Sequence, residues 1–393
     1  MKLLLYSHSF APNVGGIETI VMSLASGLAE LRTVDNRLRF QVTVVTETPG
    51  GDFDDSALPF AVVRQPSLLA LWRLTREAEA VHLDGPALLP LAFAWLASKP
   101  VALEHHGYQA ICPNGLLVLQ PDASICPGNF QAGRYGKCVR CHAAEMSWLR
   151  SLMSLLLMFP RNMLARRVAC NIAVSQHVLE RISLPSSRVV YHGVDTATAP
   201  AGVSEIPASP APLRFAYVGR LVAEKGLPVL LEAAALLKRE KREFQLLLIG
   251  DGPQRPQLEA MIQRYELRDC VHITGFLEGA ALIKKLESVH VVIMPSTWEE
   301  AAGLAAMEQM MRGRLVIASE VGGLAETVGD AGLLCRPGDA ADLARCMREA
   351  LQDRSLVTAL GRKGQERAAS LFLRDQMIAE HGTIYREIGQ RDS

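Results

Sequence analysis

The stretch that decides the fold runs from Trp298 to Met311 and reads WEEAAGLAAMEQMM. It follows Val291–Met294, an apolar run with the length and composition of a buried strand. Gly303 favours the start of a helix, whose unpaired N–H groups would face the end of that strand and form an anion site from backbone alone. Glu300 would lie in the loop before this helix and Glu308 more than one turn inside it. The two carboxylates therefore cannot serve the same atom, and the stretch predicts a site for one elongated ligand.

The composition limits the class of protein. A chain of 393 residues favours at least two domains, because single hydrophobic cores seldom grow beyond about 250–300 residues. Lys+Arg and Asp+Glu both number 41, so no global positive charge recruits nucleic acid and any anion site must be local. No apolar run reaches the ~20 residues that span a bilayer. Met1–Tyr6 is interpreted as part of a first strand and not as an export signal, which predicts a cytoplasmic protein.

Short apolar runs alternate with amphipathic runs of helix length over almost the entire chain, as is typical of parallel sheets covered by helices. The predicted strands are Lys2–Tyr6, Phe40–Thr46, Ala61–Val63, Ala80–Leu83, Val101–Glu104, Ala169–Ala173, Val189–His192, Arg214–Val218, Gln245–Ile249, Val271–Thr274, Val291–Met294 and Leu315–Ala318. Residues 197–212 are rich in Pro, Ala and Ser and are predicted to be a linker. We therefore expect an α/β fold of two doubly wound, Rossmann-like domains that face a cleft. The expected boundaries are 1–196, 213–370 and, for a C-terminal helix that crosses back to the first domain, 371–393.

Two cations follow the predicted strand Arg214–Val218. Arg220 and Lys225 lie in the sequence GRLVAEKG, before a predicted helix. A diphosphate leaving group needs about two positive charges near its oxygens, and a guanidinium with an ammonium provides them without a metal ion. Such a loop alone is more often solvated surface. Its combination with Glu300 and Glu308, three strands later, favours a binding site.

Glycine turns follow three predicted strands and would let a ligand approach the backbone. The residues of interest in these turns are Gly15, Gly16, Gly252, Phe276 and Leu277. None of these turns is specific by itself, and for Gly15 and Gly16 taken alone a plain connection between a strand and a helix is favoured.

The ordered motifs G-R-x4-K-G, G-D-G-P, G-F-L and Glu300/Glu308, followed by Gly322, Gly323 and Glu326, resemble the retaining glycosyltransferases of family four, which have the GT-B architecture. The N-terminal P-x-x-G-G-x-E also fits, so the resemblance covers nearly the whole chain. It implies that Arg220 and Lys225 hold the donor diphosphate and that Glu308 takes the ribose hydroxyls.

The same resemblance implies the remaining contacts of the donor. Glu300 would contact the transferred sugar, and the amides of Gly303, Leu304 and Ala305 would face the sugar and phosphates. Gly15, Gly16, Gly252, Phe276 and Leu277 would also be donor-binding. Ala302 stands where the family usually has a bulkier residue, which leaves the identity of the sugar open.

The resemblance further implies a catalytic role for His106 in the sequence Glu104-His105-His106-Gly107, beside the anomeric carbon. His105 is an alternative for that role, and His82 is a weaker one. The implied reaction is metal-independent hexosyl transfer with retention, from a nucleotide sugar to a glycan or lipid-linked saccharide, as in polysaccharide biosynthesis. The alternatives are an inactive nucleotide-sugar-binding assembly protein and a nucleotide-sugar epimerase of the same architecture.

Four cysteines lie in an insert at 107–142 that breaks the strand–helix rhythm, namely Cys112, Cys126, Cys138 and Cys141. A C-x2-C pair with two further cysteines predicts a tetrahedral thiolate site, and zinc is its commonest occupant. Free thiols, disulfides and an iron–sulfur cluster are the alternatives. We expect no cofactor for catalysis. The insert either binds a structural zinc ion or is a loop without metal.

The segment 147–167 reads SWLRSLMSLLLMFPRNMLARR and combines apolar side chains with arginines. Such a helix can lie on an anionic membrane surface, which would give peripheral contact with the inner membrane. The alternative is a core helix with basic ends. In either case Pro160 is expected to break or kink the helix.

Overall fold

The computed structural model describes residues 1–33, 35–121, 124–195 and 212–390. The chain divides into two compact units, Met1–Gly193 with Leu373–Ser393, and Val194–Phe372. The first unit thus ends slightly before the predicted boundary at 196 and takes in the last helix of the chain. The predicted linker at 197–212 lies outside the described residues, except for its final position.

The first unit is built on a parallel sheet. Its strands are β1 (Lys2–Ser7), β2 (Gln41–Thr46), β3 (Ala61–Arg64), β4 (Ala80–Asp84), β5 (Val101–His105), a small antiparallel pair β6 (Val118–Leu119) and β7 (Ser124–Ile125), β8 (Cys170–Ala173) and β9 (Ser187–Val189). The order in the sheet is β3-β2-β1-β4-β5-β8-β9. Its helices are α1 (Gly16–Glu30), α2 (Leu68–Glu77), α3 (Leu88–Leu96), α4 (Tyr135–Ala143), α5 (Trp148–Ala165) and α6 (Gln176–Ile182), with a 3-10 turn at Asp55–Ala57.

The second unit repeats this plan. Its strands are β10 (Leu213–Val218), β11 (Phe244–Ile249), β12 (Val271–Gly275), β13 (Val291–Met294), β14 (Leu315–Ser319) and β15 (Leu333–Cys335), in the parallel order β12-β11-β10-β13-β14-β15. Its helices are a 3-10 turn at Ala223–Lys225, α7 (Leu227–Arg239), α8 (Arg255–Arg264), α9 (Gly279–Leu286), α10 (Leu304–Met311), α11 (Gly322–Val328), α12 (Ala340–Gln352) and α13 (Arg354–Leu371). The last helix, α14 (Arg374–Gly389), packs in the first unit against α1 and β5.

The strand order places a switch point in each sheet. In the first unit β1 lies between β2 and β4, and in the second β10 lies between β11 and β13. In open sheets of this kind, ligands bind beyond the carboxyl ends of the two strands at which the order reverses. The residues that follow β10 and β13 therefore lie together, and so do those that follow β1 and β4.

The predicted α/β class with two parallel sheets is confirmed, and each of the twelve predicted strands overlaps an observed strand. Val189–His192 was placed too late, because the strand ends at Val189 and the chain then turns so that His192 enters a side-chain cluster. β15 was missed, because three residues are too short for a periodicity to register.

The helix α5 corrects one prediction. It runs without interruption from Trp148 to Ala165 although Pro160 lies inside it, so the helix is not broken there, and the kink that was the other expected outcome stays a prediction. A proline removes only the hydrogen bond to the carbonyl four residues earlier, here that of Leu156. The Leu156 side chain is 52% exposed, so water can reach this part of the helix. None of the described helices is both long and apolar enough to span a bilayer.

Candidate active site

Two groups of opposite charge meet at the switch point of the second sheet. Lys225 ends the 3-10 turn after β10, and Glu300 lies in the loop after β13. Lys225 Nζ and Glu300 Oε1 are 2.9 Å apart, and their side chains are only 17% and 7% exposed. Ser296 Oγ donates a further hydrogen bond to the same carboxylate oxygen. The predicted Lys225 and Glu300 are thus brought together, each held in place by its partner.

Arg220 lies just ahead of this pair, in the loop after β10. Tyr217 Oη donates a 2.7 Å hydrogen bond to the Arg220 carbonyl oxygen, which fixes the backbone of the loop. The guanidinium is exposed and makes no ion pair or hydrogen bond to the described residues. It is therefore free to accept an anionic partner.

The helix α10 presents its N-terminus beside the same loop. Gly303 precedes its first residue with a left-handed backbone (φ 86°). Ala306 and Met307 donate to the Gly303 carbonyl, while the N–H groups of Leu304 and Ala305 have no acceptor among the described residues. The structure thus leaves free the amides that were predicted to bind an anion.

Glu308 lies on α10, beyond its first turn, and is half-buried. Burial raises the pKa of its carboxyl group above the ordinary value, although the positive charge of Arg312 opposes this. The carboxylate has no hydrogen-bond donor among the described residues. Two free acceptor oxygens in a half-buried position are suited to a ligand with neighbouring hydroxyl groups.

The other predicted residues of the second unit flank this edge. The Gly252 backbone (φ 159°) packs so closely that a Cβ there would lie 2.5 Å from the Leu221 carbonyl oxygen, which gives this glycine a packing role. Phe276 and Leu277 follow β12, and Phe276 is 57% exposed. The aromatic ring is available for stacking, whereas Leu277 is partly covered.

In the first unit, His106 lies just after β5 in a cluster of buried titratable groups. Its Nε2 contacts Asp84 Oδ1, and its Nδ1 is 3.0 Å from His192 Nε2. Asp84 is held in turn by a 2.6 Å hydrogen bond from Ser7 Oγ at the end of β1. Burial lowers the pKa of His106, but the charges of Asp84 and Glu104 outweigh it and raise this pKa to about 9.

Glu104 is the centre of the cluster and is 1% exposed. Its Oε2 lies 3.2 Å from His381 Nε2 and 3.3 Å from His82 Nε2, and Tyr385 Oη lies 2.9 Å from His82 Nδ1. Burial acts to raise the pKa of Glu104, but the positive charges of His106 and His381 hold it well below the usual range. A buried carboxylate is thus stabilised by imidazoles from three parts of the chain.

His105 and His106 are distinguished by this geometry. His105 turns to the other side of β5, where its Nε2 is 2.9 Å from Asn171 Oδ1, and it is completely buried. Burial lowers the pKa of His105 to about 4, so it is neutral at physiological pH. His82 is also enclosed, between Glu104 and Tyr385. Of the three histidines, His106 alone joins the Asp84 carboxylate, and the structure favours it for chemistry.

Gly15 and Gly16 lie at the N-terminus of α1, as expected. Gly16 is exposed and is the first residue of the helix, while Gly15 is extended (φ −175°). The Glu18 carboxylate lies over this end, since a Cβ at Gly15 would be 2.4 Å from Glu18 Oε2. Ser9 Oγ donates to Glu18 Oε1 at 2.5 Å and holds it there. A ligand at these amides would have to displace Glu18.

Sequence reasoning missed several members of these sites, namely Ser296, Asp84, His192 and His381. Asp84 carried a signal, because it ends a strand next to β1 at the switch point. No sequence signal pointed to His381, because it lies 277 residues from Glu104 in a helix without a recognisable motif. The predicted cysteines Cys112, Cys126, Cys138 and Cys141 line one cavity beneath α4.

Residues 205–367 match the family model described as glycosyl transferases group 1. This part of the chain is therefore similar to the group 1 glycosyltransferases. A stretch of 158 residues of the chain is 40% identical to the 2-deoxystreptamine glucosyltransferase of Streptomyces kanamyceticus, covering 40% of this chain and 41% of that protein. The alpha-D-kanosaminyltransferase of the same organism is 34% identical over 175 residues, with 44% and 45% covered. The chain thus matches less than half the length of these two curated relatives.

Solved structures resemble the whole chain and not only residues 205–367. HepE of Anabaena, solved in complex with UDP and glucose, has 19% identity and a TM-score of 0.70 over 97% of this chain and 98% of its own. Sucrose-phosphate synthase of Thermosynechococcus elongatus has 22% identity and a TM-score of 0.71, with 99% of both chains covered. These likenesses show that the chain has the GT-B fold.

Proposed function

We propose that this protein is a retaining, metal-independent glycosyltransferase that moves a hexose from a nucleotide-diphosphate sugar to a glycan or lipid-linked saccharide. One observation carries the proposal: the free Arg220 guanidinium, Lys225 and the unpaired amides of α10 converge on the switch point of the second sheet, in the part of the chain that is similar to the group 1 glycosyltransferases. The guanidinium and the helix amides are suited to a diphosphate, and Lys225 adds its charge as the ligand draws it from Glu300.

The remaining parts of the donor have matching groups in the same unit. The two free acceptor oxygens of Glu308 suit the adjacent hydroxyls of a ribose. Phe276 offers an exposed ring for a base, with Leu277 next to it in the chain and Gly252 in the turn after the neighbouring strand β11. Glu300 binds hydroxyls of the transferred sugar with one oxygen while Lys225 and Ser296 hold the other.

The chemistry follows from what the site offers. The bond between the anomeric carbon and the diphosphate oxygen breaks, and an acceptor hydroxyl forms a bond to that carbon on the same face. The proton of the hydroxyl passes to the departing phosphate oxygen. Arg220, Lys225 and the Leu304 and Ala305 amides stabilise the negative charge that grows on the leaving group. Because Lys225 and Ser296 already engage the Glu300 carboxylate, this residue is poorly suited to act as a covalent nucleophile.

His106 supplies the second group of the reaction. Asp84 holds it in its charged form, so it does not act as a base. Its Nδ1–H faces His192, and it donates to a sugar or acceptor hydroxyl once His192 turns away. Gly15 and Gly16 contribute backbone N–H groups once Glu18 moves aside.

The relatives guide the choice of donors for a test. HepE was solved with UDP and glucose, and the two Streptomyces relatives are named for the transfer of glucose and kanosamine. UDP-hexoses are therefore the first compounds of a donor panel, followed by hexose esters of other nucleoside diphosphates.

Release of nucleoside diphosphate from this panel tests the proposal. The wild type should release it with at least one donor in the presence of EDTA. Arg220→Ala and Lys225→Ala should each lower kcat by about 100-fold, since each removes a charge from the transition state. Lys284→Ala is the control, because Lys284 is an exposed cation on α9 without a partner among the described residues. Tight donor binding without turnover would instead support an inactive assembly protein.

A membrane-bound acceptor is supported by the outer face of α5, which consists of Trp148, Leu149, Met153, Leu156, Leu157, Phe159 and Met163. These side chains are between 42% and 67% exposed, while Leu155 and Met158 on the other face are buried. A core helix would bury both faces. On α3, which packs against α5, Trp95 and Leu96 are also exposed.

Basic residues accompany this apolar face. Arg150, Arg166 and Arg167 are exposed along and after α5, and Arg167 lines a surface groove together with Trp95 and Lys99. Apolar side chains beside cations suit an anionic lipid surface. We propose that α5 holds the enzyme at the cytoplasmic surface of the inner membrane, where a lipid-linked acceptor is found.

Flotation with vesicles tests this contact. The wild type should float with vesicles that contain anionic lipid and much less with zwitterionic ones. The double variant Leu149→Glu/Leu156→Glu should stay at the bottom of the gradient. Leu38→Glu changes a leucine of similar exposure (51%) outside the α5 face and should float as the wild type does. If the wild-type protein does not float with anionic vesicles, the membrane contact is disproved and the transferase proposal is unaffected.

A further inference from the structure

Four cysteines of the insert surround one cavity. Cys112 lies in the loop after β5, Cys126 follows β7, and Cys138 and Cys141 lie one helical turn apart on α4. All four line the same cavity, together with Asn114, Asn129 and His142. All four are free thiols, and three of them are buried while Cys141 is partly exposed. Segments distant in sequence thus contribute their cysteines to one cavity.

We propose that Cys112, Cys126, Cys138 and Cys141 bind one structural zinc ion. Four sulfur ligands, two of them in a C-x2-C pair on a helix, match the closed tetrahedral sites that zinc forms in structural modules. The site belongs to the insert of the first unit and is separate from the donor-binding residues, so it does not depend on the proposed transferase activity.

Hydrogen-bond donors already surround the sulfur atoms. The Gln120 N–H donates to Cys141 Sγ at 3.2 Å, and Asn114 Nδ2 lies 3.8 Å from the same sulfur. Backbone N–H groups of Leu117, Asn114 and Gly115 face the Cys112 sulfur and favour its thiolate. Donors of this kind stabilise metal-bound thiolates, which carry more negative charge than a thiol.

Two buried polar atoms of the same cavity have no partner. His142 Nδ1 and Asn129 Oδ1 make no hydrogen bond to any residue that the structure describes, although His142 is only 7% exposed and Asn129 only 2%. Buried polar groups without partners are costly and call for an explanation. Thiolate ligands would explain both atoms, because a thiolate accepts hydrogen bonds. The His142 imidazole N–H can donate to it, and so can the Asn129 amide NH2 once that side chain is rotated.

Zinc binding would draw the sulfurs closer together. Zn–S bonds of about 2.3 Å place the sulfurs of a tetrahedral site roughly 3.8 Å apart. Among the described residues, the sets of three ligand atoms that lie within 4.8 Å of one another are found around Glu104 and not among these cysteines. Those imidazoles are already hydrogen-bonded: His381 to Met377 and Glu104, and His106 to His192. A metal ion at the cysteines would replace only the weak thiol hydrogen bonds of Cys112 to Asn114 Oδ1 and of Cys141 to the Val118 carbonyl.

The ion would fix the segment that directly follows His106. Tyr108 N–H donates to the Gly115 carbonyl at 3.0 Å, so the Cys112 loop folds back on the residues next to His106. Asn162 of α5 donates to the Ala110 carbonyl at 3.0 Å. α4 packs on α5 through a small cluster of Phe130, Cys138, Val139, Leu155 and Met158. The insert therefore shares a core with α5, and zinc would join its loop to that core.

Metal analysis of the purified full-length chain is the primary test. We expect about one equivalent of zinc per chain, and release of that zinc when an organomercurial titrates four thiols. Protein exchanged into cobalt(II) should show the ligand-field and thiolate charge-transfer absorption of a tetrahedral sulfur site. Cys138→Ser should lose the metal, while Cys270→Ser, a buried cysteine of the second unit, should retain it.

Several results would overturn the proposal. Wild-type protein with less than about a tenth of an equivalent of zinc and no cobalt spectrum would exclude the site. Iron with acid-labile sulfide would assign the four thiolates to a cluster instead. A mass lower by two hydrogens for each cysteine pair would assign them to disulfides. All three measurements use the wild type, so the test stands even if Cys138→Ser fails to fold.

Discussion

The most unusual residue is Glu104, a fully buried carboxylate surrounded by histidines. It helps Asp84 to keep His106 charged, with a pKa of about 9 against 6.5 for a free imidazole. Because the folded state raises this pKa, the protonated His106 stabilises the fold fully below pH ~6.5. This contribution falls as the pH rises towards about 9. Stability and the proposed donor role of His106 should therefore be lost in the same alkaline range.

Asp84→Asn tests this coupling. The substitution keeps the size of the side chain and removes the charge that holds the proton on His106, so the pKa of His106 should fall. We expect the alkaline limb of the pH profile of kcat/KM to move to lower pH by about one unit or more. Asp52→Asn, in an exposed loop, is the control and should leave the profile in place. A lower kcat with an unmoved alkaline limb would mean that Asp84 is only structural.

Glu308 gives a second prediction at this scale. Glu308→Gln keeps the shape but weakens one of the two acceptor oxygens, so donor Kd should rise roughly ten-fold, or about 1.4 kcal/mol. Because burial raises the pKa of Glu308, donor binding by the wild type should weaken on the acid side at a higher pH than for an ordinary glutamate. Titration calorimetry at stepped pH measures both effects. Equal donor affinity of the wild type and Glu308→Gln would remove Glu308 from the site.

At the scale of elements, the turn before α11 fixes the loop that carries Glu300. Gly322 has a left-handed backbone (φ 62°), and a Cβ there would lie 2.6 Å from the Glu300 carbonyl oxygen. Gly323 N–H donates to that same carbonyl at 2.6 Å. The backbone of Glu300 is thus held by α11, while Lys225 and Ser296 hold its carboxylate.

Gly322→Ala should therefore displace Glu300. Gly338→Ala is a matched control, because Gly338 also has a positive φ (74°) but nothing lies within 4 Å of its Cβ position. Both variants carry a backbone strain of about 1 kcal/mol, and Gly322→Ala adds an overlap of roughly 1–3 kcal/mol. The free energy of unfolding in denaturant and the rate of diphosphate release should both be lower for Gly322→Ala than for Gly338→Ala. Equal behaviour of the two variants would contradict the positioning role of Gly322.

Elements differ in how well the sequence predicts them. Buried strands such as Val291–Met294 and Leu315–Ser319 were found because both faces are covered, which produces unbroken apolar runs. The predicted end of β9 was too late because the buried Val190 looks like a further strand residue. In the structure Val190 belongs to the turn that leads to His192. The continuous α5 could not be foreseen, because the exposure of Leu156 decides how Pro160 is tolerated.

For the whole molecule, the order of strands decided which residues of the site were predictable. Lys225 and Glu300 were found because each follows a strand, and β10 and β13 are neighbours at the switch point. Their direct ion pair was not foreseen. The partners of Glu104 were also missed, because α14 returns to the first unit after the whole second unit and places His381 beside it. Local sequence patterns do not show that a C-terminal helix packs against the first unit.

The central claim is that Arg220, Lys225 and the amides of α10 bind a sugar diphosphate without a metal ion. Titration calorimetry with UDP, UDP-glucose and further nucleotide sugars in EDTA tests it most directly. We predict binding to at least one ligand with a Kd below about 1 mM, no change on addition of magnesium, and at least ten-fold weaker binding by Lys225→Ala. Absence of binding at millimolar concentration, or binding that requires magnesium or manganese, would contradict the claim.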